Sequence, residues 1–152
     1  MYFKTLFRYV LLGGVFLISD RFLKWQAAHN WIQPLLIGKN FGWEPFYNKG
    51  IAFGIVMPKF VVVALTVFII AAVLYFFYLN EKTPSDGKDR RLKFGLVLIL
   101  VGAFSNLADR LVYNHTIDYI RIFNGVINLA DIFIVVGFVL YFSSLKQENT
   151  KT

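Results

Sequence analysis

Apolar and polar positions fall in long blocks along this chain. Phe60 to Asn80 runs for 21 residues without a charge. A helix rising about 1.5 Å per residue then covers the roughly 30 Å hydrocarbon core of a bilayer. Three other apolar runs are shorter, and each meets an acid near one end. Tyr9 to Ser19 runs into Asp20, Phe94 to Ala108 into Asp109, and Ile132 to Leu145 follows Asp131. Extended slightly past those acids, each is long enough to span. The pattern predicts four transmembrane helices, near 6–26, 59–80, 93–113 and 129–146.

The first run also reads as a signal-peptide core, because Lys4 and Arg8 precede a short apolar stretch. No small-x-small cleavage pattern follows it, and Asp20, Arg21 and Lys24 come at once, so a retained helix is expected. Cytoplasmic ends and loops collect Lys and Arg. Lys4 and Arg8 lie before the first span, Lys82, Lys88, Arg90, Arg91 and Lys93 between the second and third, and Lys146 and Lys151 after the fourth. An even number of spans places these three segments on one side, the cytoplasm. The connections near 27–58 and 114–128 then lie outside. Lys82 to Lys88 reads as a plain turn, and residues 1–152 read as one domain without internal repeats.

Composition fits the pattern. The chain is 57% hydrophobic and only 16% charged, against about a quarter charged in an ordinary soluble domain. That balance excludes disorder and a nucleic-acid-binding domain, so the net charge of +7 reports topology rather than a nucleic-acid partner. Zero cysteine removes disulfides, thiolate metal sites and a cysteine nucleophile.

On this topology the polar residues converge. Asp20 ends the first span, Asp109 lies near the outer end of the third, Asp131 opens the fourth, and Asp118 lies in the outer connection between the last two. Ionisable groups at membrane depth are costly and mark function. Gly102, Asn106 and Asp109 form a stripe at i, i+4 and i+7, flanked by Ser105 and Arg110. Small and polar residues also glue helices together, so a helix seam is the alternative reading for Gly102 and Ser105. Arg110 either neutralises Asp109 locally or grips another carboxylate in a bidentate fork. Asn128 with Asp131 fits a helix-capping pair as well as chemistry. Asp20 with Lys24 reads most simply as an i, i+4 pair whose long cation snorkels outward. Asn48, Gly50 and Gly54 predict a tight turn in the outer connection.

Two carboxylates sharing a site suffice for acid–base hydrolysis of an amide. One takes a proton from water while the other donates to the carbonyl or leaving nitrogen, and mutual repulsion separates their pKa values. A Ser105–His115 pair lacks any nucleophile signature. His115 and Asp118 make a thin metal set, since His29 is distant in sequence, and no phosphate-binding loop is present. No metal or other cofactor is expected.

These residues also stand in a familiar order. Asp20-Arg21-Phe22-Leu23-Lys24, Asn48-Lys49-Gly50-Ile51-Ala52-Phe53-Gly54, Ser105-Asn106-Leu107-Ala108-Asp109-Arg110, Ile117-Asp118-Tyr119-Ile120 and Asn128-Leu129-Ala130-Asp131 resemble the motifs of signal peptidase II, the bacterial lipoprotein signal peptidase. The resemblance implies a membrane all-α core of four helices with both termini cytoplasmic, and a small extracytoplasmic cradle containing β-structure. It implies an aspartic endopeptidase of the bacterial inner membrane, acting on the extracytoplasmic side. Such an enzyme cleaves prolipoproteins just before a diacylglyceryl-modified cysteine, as a monomer in contact with membrane lipid. Asp118 and Asp131 match the catalytic pair. Asn106, Asp109, Arg110 and Asn128 match the supporting polar shell, with Asp20, Lys24, Asn48 and Gly50 as further motif positions, which moves Asp20 from structural to site-supporting.

The chain departs from the family pattern at a few places. Val101-Gly102-Ala103-Phe104-Ser105 stands where a paired glycine and a further glycine are usual, Ile127 where Phe is common, and Ile132 where a small polar residue often follows the Asp. These changes bear on packing and pocket shape and leave every matched acid and amide in place. Two rival readings are a small ion carrier using the same acids, and an inactive relative kept as a binding module. The carrier needs a polar path to the cytoplasmic leaflet, and the inner halves of the predicted helices are almost wholly apolar.

Overall fold

The computed structural model describes residues 2–50, 57–81 and 87–146. In chain order these form α1 (Tyr2–His29), β1 (Leu35–Ile37), β2 (Phe41–Asn48), α2 (Lys59–Glu81), α3 (Gly87–Tyr113), β3 (Thr116–Ile122), β4 (Gly125–Ile127) and α4 (Leu129–Lys146). All four predicted helices are present, with α1 starting four residues and α3 six residues earlier than expected. Ile51 to Gly54 and most of the Lys82–Lys88 turn lie outside the described residues.

Helices α2 and α3 are long and apolar enough to cross a membrane, and α4 carries a shorter apolar stretch, Leu129–Leu145. The surface confirms how that apolarity is used. Phe60 is 75% exposed, Phe68 72% and Ile18 70%, while Asp20, Lys24 and Asp109 are fully buried. Apolar groups outside and charges inside are the pattern of a chain whose solvent is lipid.

Helix α3 is the hub, packed on by α4, α2 and α1. Its contact with α4 depends on glycine. A Cβ on Gly102 would lie 2.3 Å from the Ala130 carbonyl oxygen, and one on Gly137 2.6 Å from that of Gly95. Backbones this close leave no room for a side chain, so the seam reading holds for Gly102. Toward the opposite end from the acids, Val73, Leu92, Leu96 and Ile99 form an apolar core joining α2 to α3.

The strands make one antiparallel sheet in the order β1-β2-β3-β4, with Phe46 opposite Asp118 and Asn48 opposite Thr116. The register shifts between Trp43 and Phe46. Ile117 and Tyr119 pack on Ala27 of α1, which anchors β3 against the bundle. Because side chains alternate along a strand, Asp118 points to the other face.

Candidate active site

Asp118 is held by neutral groups. Asn48 Nδ2 donates to its Oδ2 at 2.9 Å and Asn128 Nδ2 to its Oδ1 at 2.6 Å. Asn48 is oriented in turn by a short turn of its own, in which the Gly50 N–H donates to Asn48 Oδ1 at 2.9 Å. Asp131 receives Asn106 Nδ2 at 2.7 Å and the Asn128 N–H at 3.2 Å. Its own N–H donates to Asn128 Oδ1 at 2.9 Å. Asn128 and Asp131 therefore cap α4 reciprocally, and Asn128 also touches Asp118. The capping reading of this pair is therefore met, and the same asparagine links it to the second acid.

A second group of acids lies behind the amides, and it is held by cations. The ammonium of Lys24 is fully buried, 3.0 Å from Asp20 Oδ2 and 2.8 Å from Asp109 Oδ2. It also donates to Asn106 Oδ1 at 2.8 Å and lies 3.2 Å from Ser105 Oγ. Arg21 forms an ion pair with the other oxygen of Asp109. The Ser105 hydroxyl donates to Asp20 Oδ2, and Asp20 Oδ1 accepts from the Tyr119 hydroxyl and the Ala130 N–H, both at 3.1 Å. The Tyr119 oxygen accepts the Leu129 N–H at 3.1 Å. Free N–H groups at the start of α4 are thus satisfied from α1 and β3, which fixes where Asp131 stands.

Two local expectations are corrected. Lys24 does not snorkel: four acceptors contributed by α1 and α3 enclose it, and burial with partners outweighs exit to solvent. Arg110 grips no carboxylate among the described residues. Its guanidinium donates to the Asn106 carbonyl oxygen at 3.4 Å, and Arg21 takes the place on Asp109. Ser105 serves the seam and the polar cluster together, bonded to Asp20 and fully buried, while His115 lies in ring contact with Tyr47 at 4.7 Å. Arg21 and Tyr119 are network members that local sequence reading passes over. Their partners stand 88 and 99 residues away, so no spacing rule finds them.

Position and partners set the electrostatics of Asp118. Burial pushes its carboxyl up to about 6, and the nearby Asp131 charge adds to the rise. The amides of Asn48 and Asn128 oppose it by bonding the ionised form. A carboxyl of this kind keeps its proton into the mildly acidic range, as an acid catalyst of amide hydrolysis needs. Among the described residues no group of three or more His, Cys, Asp and Glu side chains could hold a metal ion.

Fold and site together define a membrane protein whose interior, rather than its surface, carries the polar chemistry. A solved bacterial membrane enzyme, determined by the in meso method, shares this fold with a TM-score of 0.80 at 20% identity, covering 95% of this chain and 91% of its own. The family model for signal peptidase (SPase) II matches residues 12–146, and the chain belongs to that family of peptidases. The lipoprotein signal peptidase of Chlamydia abortus is 34% identical over 107 residues, covering 66% of this chain and 62% of that protein. That of Clostridium novyi is 32% identical over 121 residues, covering 75% and 78%. The match thus spans less than two thirds of the first relative's length.

Proposed function

We propose that this protein is an intramembrane aspartic endopeptidase that removes the signal peptide of diacylglyceryl-modified prolipoproteins, cleaving before the lipid-modified cysteine. It acts as a monomer in the bacterial inner membrane, with four spans, both termini cytoplasmic and the sheet on the extracytoplasmic side. The observation that carries the reading is that one residue, Asn128, bonds both carboxylates, its side-chain amide donating to Asp118 and its backbone N–H to Asp131. Membership of a peptidase family and the match to lipoprotein signal peptidases supply the substrate class.

In this mechanism one water lies between the two acids. The ionised partner takes its proton as the oxygen attacks the scissile carbonyl, and the protonated partner donates to the departing nitrogen. Asn48, Asn106 and Asn128 hold the carboxylates in register. Arg110, close enough for its charge to interact with Asp118 and Asp131, meets the substrate backbone. Asp20, Lys24 and Asp109 keep the amides in place. Incubation with a diacylglyceryl-modified prolipoprotein, followed by mass measurement, tests the reading. The wild type should release the signal peptide and leave the modified cysteine at the new N-terminus. Cleavage at any other bond, or full turnover by Asp118→Asn or Asp131→Asn, refutes it.

A further inference from the structure

A cavity of about 360 Å³ lies on the flank of the bundle, floored by Val101 and Phe104 of α3 and walled by Gly14 and Leu17 of α1 and Leu74 and Phe77 of α2. It is no part of the acid–amide site. At 100° per residue, Val97, Val101 and Phe104 point to roughly the opposite side of α3 from Asn106. A substrate reaching Asp131 therefore does not pass through it.

Its depth comes from an exception among the helix glycines. Gly13 is closely packed, with a Cβ there only 3.2 Å from Val101, whereas a Cβ on Gly14 would meet nothing within 4 Å. The hollow at Gly14 is therefore real space in the bundle's flank. A single alkyl chain fits.

The lining of the hollow is apolar apart from Tyr9, and arginines stand next to that residue. Tyr9, which lines it, donates its hydroxyl to the Arg90 carbonyl oxygen at 3.3 Å. Arg90 precedes Val97, Val101 and Phe104 on one helical stripe of α3, at i, i+7, i+11 and i+14. Arg90 and Arg91 are exposed, and so is Arg8, next to Tyr9. An alkyl slot whose lining Tyr9 follows Arg8 and is bonded to the Arg90 backbone complements one kind of molecule, a lipid with an anionic phosphate headgroup.

We propose that the α1–α2 cleft over α3 holds one acyl chain of an anionic phospholipid, with the headgroup phosphate at Arg90. The inference rests on the proposed topology, which puts Arg90 at the cytoplasmic leaflet. The test is native mass spectrometry of delipidated full-length protein, titrated separately with dioleoylphosphatidylglycerol and dioleoylphosphatidylcholine. Wild type should bind one phosphatidylglycerol at least fivefold more tightly than phosphatidylcholine. Gly14→Leu, which fills the hollow without a backbone clash, should lower that affinity at least fivefold, and Arg90→Gln should erase the headgroup preference. Prolipoprotein cleavage in detergent by Gly14→Leu should stay within twofold of wild type, so that loss of lipid and loss of the peptidase reading are separately visible. Unchanged binding by Gly14→Leu, equal affinity for both lipids in the wild type, or dimerisation through this face with no bound lipid overturns the proposal.

Discussion

Two pairs of aspartates lie within one network and are treated in opposite ways. Asp20 and Asp109 are matched with Lys24 and Arg21, so the charge of each acid has a cation in contact. Among the described residues, Asp118 and Asp131 receive only amide and backbone donors. A cation in contact favours the ionised form, whereas burial beside a like charge favours the neutral one. The difference separates scaffold from chemistry. The first pair ties α1 to α3 and to the start of α4. The second pair is left able to share a proton.

Substitutions should break the two pairs along different axes. The largest effect is expected at the amide-held acids. Asp118→Asn and Asp131→Asn should each lower prolipoprotein cleavage at least about a thousandfold, a loss of roughly 4 kcal/mol in transition-state stabilisation, while the melting curve in detergent shows a folded protein. The cation-held pair should respond in stability. Lys24→Met leaves Asp20 and Asp109 buried with a cation missing and should cost about 3–5 kcal/mol, read as a large drop in Tm. Were Lys24→Met to melt like wild type, the scaffold role of this pair would fail.

Smaller effects sharpen the contrast. Asn48→Ala removes a bond to the ionised form of Asp118, so its pKa should rise and the alkaline limb of the kcat/KM profile should move to higher pH, by about half a unit to one unit. Movement to lower pH would contradict the geometry. Ser105→Ala should cost only about 1 kcal/mol, because Lys24, Tyr119 and the Ala130 N–H still satisfy Asp20.

The four helices were legible because long apolar runs bounded by charge mark them, and two of them, α2 and α3, are long and apolar enough to cross a membrane. The acid pair was legible through ordered motifs. Local periodicity alone left Asn128 and Asp131 between capping and catalysis, and the structure shows the capping bonds together with a contact from Asn128 to Asp118. What stayed hidden depends on contacts distant along the chain. The i, i+4 spacing of Asp20 and Lys24 is the same whether the ammonium reaches water or points inward, and α3 alone decides the outcome. Arg110 follows Asp109 in sequence yet projects about 100° around the helix from it, so adjacency pointed to the wrong guanidinium. The four buried residues Thr116, Ile117, Asp118 and Tyr119 open β3 without the alternation that marks a half-exposed strand.

The contrast between the two pairs comes down to the proton on Asp118, and the pH dependence of folding carries its sign. A carboxyl whose pKa is raised on folding contributes stability that is present below about pH 4 and lost as pH rises through about 6. Replacing Asp118 by Asn should therefore become less costly, relative to wild type, across that window. The carboxyl itself can be followed by carbon NMR of ¹³C-aspartate protein in detergent, assigned with Asp118→Asn. The Asp118 resonance should titrate near pH 6, and a midpoint at or below the ordinary aspartate value of about 3.9 would contradict its place as the proton-holding member of the pair.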